Sequence, residues 1–407
     1  MKVILYEHVS GGGYAGHNIS PGILAEGFAM LRTAASDFKA AGHDVSVLLD
    51  GRISKLNPPI NADCTVPVTY PEETKRFLSS LASINDASYI IAPETGQILE
   101  NYVALMEKTG KISLNTQSSV INQVGNKTSL QKILRKNHVN TPNSLVFSLD
   151  ENLTAIKREI KEKLGYPIVF KPADGVSCCG LCIVNNDSQI ISAIEKIEAE
   201  SSAKQFIVQE FIIGEAASVS LLVSNGKALA ISLNKQNVNV ASPDKTSSYL
   251  GGCVPFDNSL KEETFLMAEK AVECFSGLRG YVGVDFVLGK DKPFVVDVNP
   301  RLTTSYLGLS QTVSFNVAQA IIDAVSRSRL PTNFETQGFT CFEKVESTKP
   351  NDAAFKRLSK VAAVVSPPFT MTDSDKAVSI VDGHGRSLKL ASLHLEEAKK
   401  CLLDIVG

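Results

Sequence analysis

No apolar run in the sequence approaches the roughly 20 residues that cross a bilayer, which excludes a membrane-spanning helix. Strong charge of either sign is also missing. The formal net charge is −2, so nothing draws the chain as a whole to nucleic acid or to an anionic membrane, and any anion must be held by local groups. Dense cysteine is absent too: the 8 cysteines are scattered without the spacing of a disulfide scaffold and read as reduced thiols. Cys179 and Cys182 form a C-x-x-C with no second pair, so they read as small loop residues rather than a zinc or redox site. The opening "MKVILYEHVSGGG" is too brief for a secretory leader, and the expected setting is cytoplasmic. There is no internal repeat and no low-complexity tract.

What remains is an ordinary globular composition, 43% hydrophobic and 21% charged with no tryptophan. At 407 residues the chain is long enough for two or three domains with a cleft between them. From residue 1 to about 118 strands and helices alternate: "KVILYEHV", a helix through "ILAEGFAMLRTAASDFKAAG", then "ASYIIAPE" and "GKISLN" around another helix. That rhythm predicts a parallel sheet covered by helices. Beyond it the pattern favours hairpins, one turning at Asn225-Gly226 and one spanning "YVGVDFVLGKDKPFVVDVNP".

The second hairpin carries the chemistry. Side chains alternate along a strand, so Asp297 and Asn299 share one face, and the turn brings Asp285 alongside Asp297. Two carboxylates about 5 Å apart repel unless a cation lies between them, and oxygen donors of this kind suit magnesium with bound phosphate. Lys171 closes the apolar run "YPIVFKP", where a lysine needs an anionic partner. The loop that follows, with Gly175, Ser177 and Gly180, is small enough to lay N–H groups against phosphate. In "QEFIIGE" backbone groups can meet a purine edge while Glu215 accepts from ribose.

Taken in order, "GNKTSLQKIL", "VFKP", the glycine loop, this hinge and the acid, acid, amide set resemble the ATP-grasp superfamily of ligases over roughly residues 119 to 330. The resemblance implies an α/β and α+β chain. Residues 1–118 would form an N-terminal parallel-sheet (pre-ATP-grasp) domain, followed by an ATP-grasp fold of two α+β subdomains, 119–210 and 211–330, the second with the metal site. Residues 331–407 would be a small β-rich C-terminal segment. It implies ATP and one or two Mg2+, with Mn2+ as a substitute. By similarity Lys127 and Lys171 contact the phosphates, residues 175 to 180 form a flap, Glu210, Phe211 and Ile212 hold adenine, Glu215 holds ribose, and Asp285, Asp297 and Asn299 hold the metal. Asp297 stands where the superfamily usually has Glu. Within the superfamily, "YEHVSGGG", "ILAEGFAML" and "NPRLTTSYLGL" are similar to the tyramine-glutamate ligase family of methanofuran biosynthesis. That implies small-molecule carboxylate and amine substrates, joined through an acyl phosphate, with no nucleic acid or membrane partner; a homodimer is left open.

Lys171 and Arg301 are the expected catalytic groups, Arg301 as a clamp on a carboxylate or phosphate. Substrate contacts are expected from Gly11, Gly12, Gly13 and His17, with His8 nearby, and from a mobile loop "SSYLGG" holding Tyr249, Gly251 and Gly252. Other readings are an acid and amine of different identity, a non-catalytic ATP-binding regulator, and an NAD-dependent oxidoreductase suggested by Gly11, Gly13 and Gly16 in G-x-G-x-x-G. Against the last, Pro21 and Gly22 delay the helix that should meet a pyrophosphate, and Asp50 lies too far on for the ribose.

Overall fold

β-branched runs separated by amphipathic helices assemble into three sheets. In the computed structural model, which describes residues 1–175, 178–371 and 375–407, the first sheet is parallel throughout. Its strands β1 (Lys2–Glu7), β2 (Asp44–Asp50), β3 (Cys64–Val68), β4 (Ala87–Ile91) and β5 (Ile112–Ser113) stand in the order β3-β2-β1-β4-β5. Strand order reverses between β1 and β4, and open α/β sheets place ligands outside the carboxyl ends at such a point. Glu7, Val9, Ile91 and Ala92, at or just past those two ends, line the molecule's large cleft.

The second sheet is antiparallel: β6 (Ser144–Ser148), β7 (Ile168–Pro172), β8 (Cys182–Val184) and β9 (Gln205–Glu210), in the order β6-β9-β7-β8. Its apolar face, with Phe170 and Phe206 stacked 5.6 Å apart, is covered by the helices Leu153–Lys163 and Ile190–Glu200. The third sheet has eight strands: β10 (Glu215–Ser224), β11 (Lys227–Asn239), β12 (Ser248–Val254), β13 (Gly280–Leu288), β14 (Pro293–Asn299), β15 (Phe339–Thr348), β16 (Val364–Phe369) and β17 (Lys376–Gly385). Asn225 and Gly226, both at positive φ, make the predicted β10–β11 turn.

Three expectations are corrected. The segment 331–407 is not a separate tail, because β15, β17 and β16 extend the third sheet beyond β12 in the order β12-β15-β17-β16. The helix Pro21–Ala40 packs across to it, with Phe28 and Phe369 4.9 Å apart edge to face. "SSYLGG" is the strand β12 rather than a mobile loop: Gly251 pairs with Glu343, Gly252 pairs with Phe342, and a side chain at Gly251 would meet the Phe342 carbonyl oxygen at 2.1 Å. Not all thiols are free, since Cys253 and Cys341 stand opposite each other on β12 and β15 and form a disulfide.

The glycine run after β1 packs against the sheet: Gly11 and Gly12 are buried and Gly13 half-buried, and none of the three is among the described residues lining the cleft. Gly12 has φ +97°, and a Cβ there would lie 2.5 Å from Val68 Cβ. Gly12→Ala is therefore expected to lower stability by roughly 2 to 4 kcal/mol, from left-handed strain plus overpacking. A fall in the urea midpoint checks this; an unshifted midpoint contradicts it.

Candidate active site

Val169 and Lys171 share the cleft-facing side of β7, opposite the core residues Ile168 and Phe170, so the lysine is aimed into the cleft by strand alternation alone. Lys127 arrives from the first residue of the helix Lys127–Lys136, which Asn126 caps by accepting from the Ser129 N–H. Both lysines are buried, at 6% exposed for Lys127 and 9% for Lys171.

Opposite them, β13 and β14 pair Asp285 with Asp297 and Gly283 with Asn299, the register read from the sequence. Val296 is an extra residue on β14, and this bulge turns its carbonyl oxygen to accept from Lys171 Nζ at 3.2 Å. Asp297 forms an ion pair with Lys127. Asp285 accepts from Asn299 Nδ2 and Gln236 Nε2, both at 2.9 Å. Burial, and then the charge of Asp297, push Asp285 up to about 6. Burial and the neighbouring Lys127 bring Lys171 down to about 8, against the pull of Asp297 and Asp285.

These acids fit a hard divalent cation. Burial, and then the charge of Asp297, raise Asp285, a cost that a cation would relieve, and Asn299 gives its nitrogen to Asp285, leaving its oxygen as a donor. Among the described residues no group of three or more His, Cys, Asp and Glu could hold a metal. The set is thus two carboxylates and an amide, to be completed by phosphate and water.

The paired shifts set a pH window for the free enzyme. Below about 6 Asp285 carries a proton and would be lost as a ligand, while above about 8 Lys171 loses the charge it would offer to phosphate. With Asp297, Lys127, Asn299 and Gln236 around them, kcat/KM for ATP is expected to be bell-shaped between those limits. A flat profile from about pH 5 to about pH 9 would count against these two groups.

The cleft, of about 1130 Å³, extends from this centre in two directions. At one end Glu210, Phe211 and Ile212 line it with Val169 and Val287. The Glu210 carboxylate accepts from Asn143 N at 2.8 Å and Nδ2 at 3.1 Å, so it braces the hinge. Glu215 does not line the cleft. It is exposed and tied to Lys235 Nζ at 3.4 Å and Asn258 Nδ2 at 3.1 Å, because its neighbours Gly214 and Ala216 take the inward positions. Gly175 lines the cleft, the Gly180 N–H is occupied by Glu200 Oε2 at 2.7 Å, and Ser177 lies outside the described residues.

At the other end Pro300 ends β14 and Arg301 turns toward the first sheet. Its Nε and Nη2 donate to both oxygens of Glu94, at 3.0 to 3.2 Å, and Nη1 donates to the Leu302 carbonyl at 3.1 Å. Arg301 and Tyr249 line the cleft. His17 is exposed and does not, and burial lowers His8 to about 4, with its Nδ1 3.1 Å from the Tyr6 hydroxyl. Gln236, Glu94, Glu7 and Glu26 were not singled out from the sequence: Gln236, Glu94 and Glu26 meet their partners across distant elements, while Glu7 and Glu26 lie within the quoted stretches "YEHVSGGG" and "ILAEGFAML".

Residues 124–305 match the family model described as an ATP-grasp domain, and residues 43–121 match a pre ATP-grasp domain. The tyramine–L-glutamate ligase of Methanocaldococcus jannaschii is 28% identical over 340 residues, 83% of this chain and 94% of that protein. The protein of the same name from Methanocaldococcus fervens is 31% identical over 255 residues, 63% of this chain and 71% of that protein. The fold is also that of the biotin carboxylase domain of Hydrogenobacter thermophilus 2-oxoglutarate carboxylase, solved with MgADP, ADP and bicarbonate. That likeness has a TM-score of 0.72 at 14% identity, covering 98% of this chain and 89% of the other. Among the described residues no helix is long and apolar enough to cross a membrane.

Proposed function

Because the chain belongs to the ATP-grasp family, we propose that it is an ADP-forming ligase joining the side-chain carboxylate of glutamate to the amine of tyramine. One observation carries the reading. Lys127, Lys171, Asp285, Asp297 and Asn299 converge in a single cleft whose far end carries Arg301. The two curated relatives that share the glutamate and tyramine name support the choice of substrates.

A carboxylate resists attack by an amine because oxide is a prohibitive leaving group. In the proposed reaction a carboxylate oxygen attacks the γ-phosphorus of ATP, the bond to the β-phosphate oxygen breaks, and ADP leaves. The amine nitrogen then attacks the acyl carbon, the bond to the phosphate oxygen breaks, and the amine proton is lost as the amide forms. Lys127 and Lys171 hold the transferring phosphoryl oxygens and offset their charge. Asp285, Asp297 and Asn299 would hold magnesium, which when bound polarises the phosphoryl group and neutralises developing charge. Arg301, preset by Glu94, orients the carboxylate, while Phe211, Ile212, Val169 and Val287 line the end of the cleft that suits the adenine.

The reading is tested with the purified protein, ATP and Mg2+ against a panel of amino acids and amines, following ADP and product mass. Glutamate with tyramine is expected to give ADP and the amide only when both are present. ADP release that ignores the amine, or a panel without any amide, counts against it.

A further inference from the structure

The cleft presents two charges of opposite sign at its acceptor end, and each is backed by a partner set behind the wall. Arg301 lines the cleft and leans on Glu94; Glu26 lines it and leans on Lys344. Neither Glu94 nor Lys344 is among the described lining residues. The two units are joined, because Arg301 and Thr304 lie on one segment and the Thr304 hydroxyl donates to Glu26 Oε2 at 3.1 Å. Tyr249 closes the corner, its ring centroid 5.7 Å from Lys344 Nζ.

Buried ion pairs of this kind add little to stability, since desolvation cancels most of the attraction. Glu26 is 9% exposed, and a charge held so at the wall of a cleft is better explained by what it meets there. The other carboxylate of the corner, Glu7, is turned onto its own loop and takes three donors there, against one on each oxygen of Glu26. Glu7 accepts from Val9 N at 2.9 Å and from Ser10 N and Oγ, both at 2.7 Å. Cys178 and Tyr249 lie within electrostatic reach of both Glu26 and Asp285, which sets the corner beside the metal acids.

Resting on the ligase reading above, we infer that Glu26, held by Lys344 and Thr304, binds the α-ammonium of the amino acid whose side-chain carboxylate is activated. An amine about to be acylated must shed its proton, whereas the α-ammonium stays charged throughout the reaction. A fixed carboxylate suits the permanent charge. The neighbouring Arg301 then takes the carboxylate side of the same molecule, so the corner reads a zwitterion.

The test compares L-glutamate with glutarate, which lacks only the α-ammonium, as acid substrates for the full-length protein with ATP, Mg2+ and tyramine. The wild type is expected to prefer glutamate by on the order of 10²-fold in kcat/KM, as for loss of a buried charged partner. In Glu26→Gln that preference should collapse to within about threefold through a raised KM for glutamate, with KM for ATP little changed. Thr304→Val should shift the preference the same way by a smaller factor, which covers a Glu26→Gln protein that fails to fold. An unaltered preference in both variants, or an equal loss on the two acids carried in kcat, overturns the assignment. A wild type that makes no amide from any amino acid overturns the ligase reading and this one with it, whereas the first result overturns this one alone.

Discussion

Lys171→Met is expected to lose ATP turnover by at least on the order of a hundredfold while its thermal midpoint stays level or rises. The loss follows from removing a positive group that in the proposed reaction would face the transferring phosphoryl oxygens, an effect of about 3 to 4 kcal/mol for a preorganised donor. The stability side has the opposite sign. The Lys171 ammonium is depressed from its ordinary range to about 8 by burial and by Lys127, so holding it charged in the folded state opposes folding at neutral pH. That penalty is present below about 8 and lifts as pH rises toward the ordinary lysine value, where the unfolded chain also loses its proton. Methionine fills similar volume without the charge. A lysine kept for structure would give the reverse pattern, a lowered midpoint with turnover retained. Parallel measurement of ADP release and thermal unfolding separates the two.

Asp297→Asn is expected to reduce turnover more, by roughly a thousandfold, because a proposed charge-bearing oxygen ligand and the partner of Lys127 go together. The amide is nearly isosteric, so the β13–β14 pairing should persist. Two further signatures follow. The Mg2+ concentration for half-maximal activity should rise steeply, and Asp285, relieved of a neighbouring negative charge, should titrate lower, moving the acid limb of kcat/KM downward. Titrating Mg2+ at saturating ATP checks the first; wild-type metal dependence would remove Asp297 from the site.

Much of this site was legible because strand periodicity is local. Asp285 opposite Asp297, and Asn299 on the same face, follow from period two and a short turn, and the pairing is the predicted one. Lys171 stood out for the same reason, as a charge in an apolar strand. What stayed hidden depends on contacts far apart in the chain: Gln236 meets Asp285 across 49 positions, Arg301 meets Glu94 across 207, and Thr304 meets Glu26 across 278. No local pattern marks such partners.

Glycine was the hardest residue to read, since a position without a Cβ serves a ligand loop and a tight packing contact equally well. Gly12 and Gly251 make packing contacts, against Val68 and against the β15 backbone. Glu215 stands one residue of strand phase away from the cleft, because alternation turns Gly214 and Ala216 inward instead. The Cys253–Cys341 pair, 88 residues apart, needed the strand order β12-β15 to bring it together.

The account stands on phosphoryl transfer to a carboxylate oxygen, and oxygen labelling tests that step directly. With glutamate carrying 18O in its side-chain carboxylate, together with ATP, Mg2+ and tyramine, the predicted result is a single labelled oxygen in each inorganic phosphate released. Unlabelled phosphate, or label appearing in AMP, would contradict it.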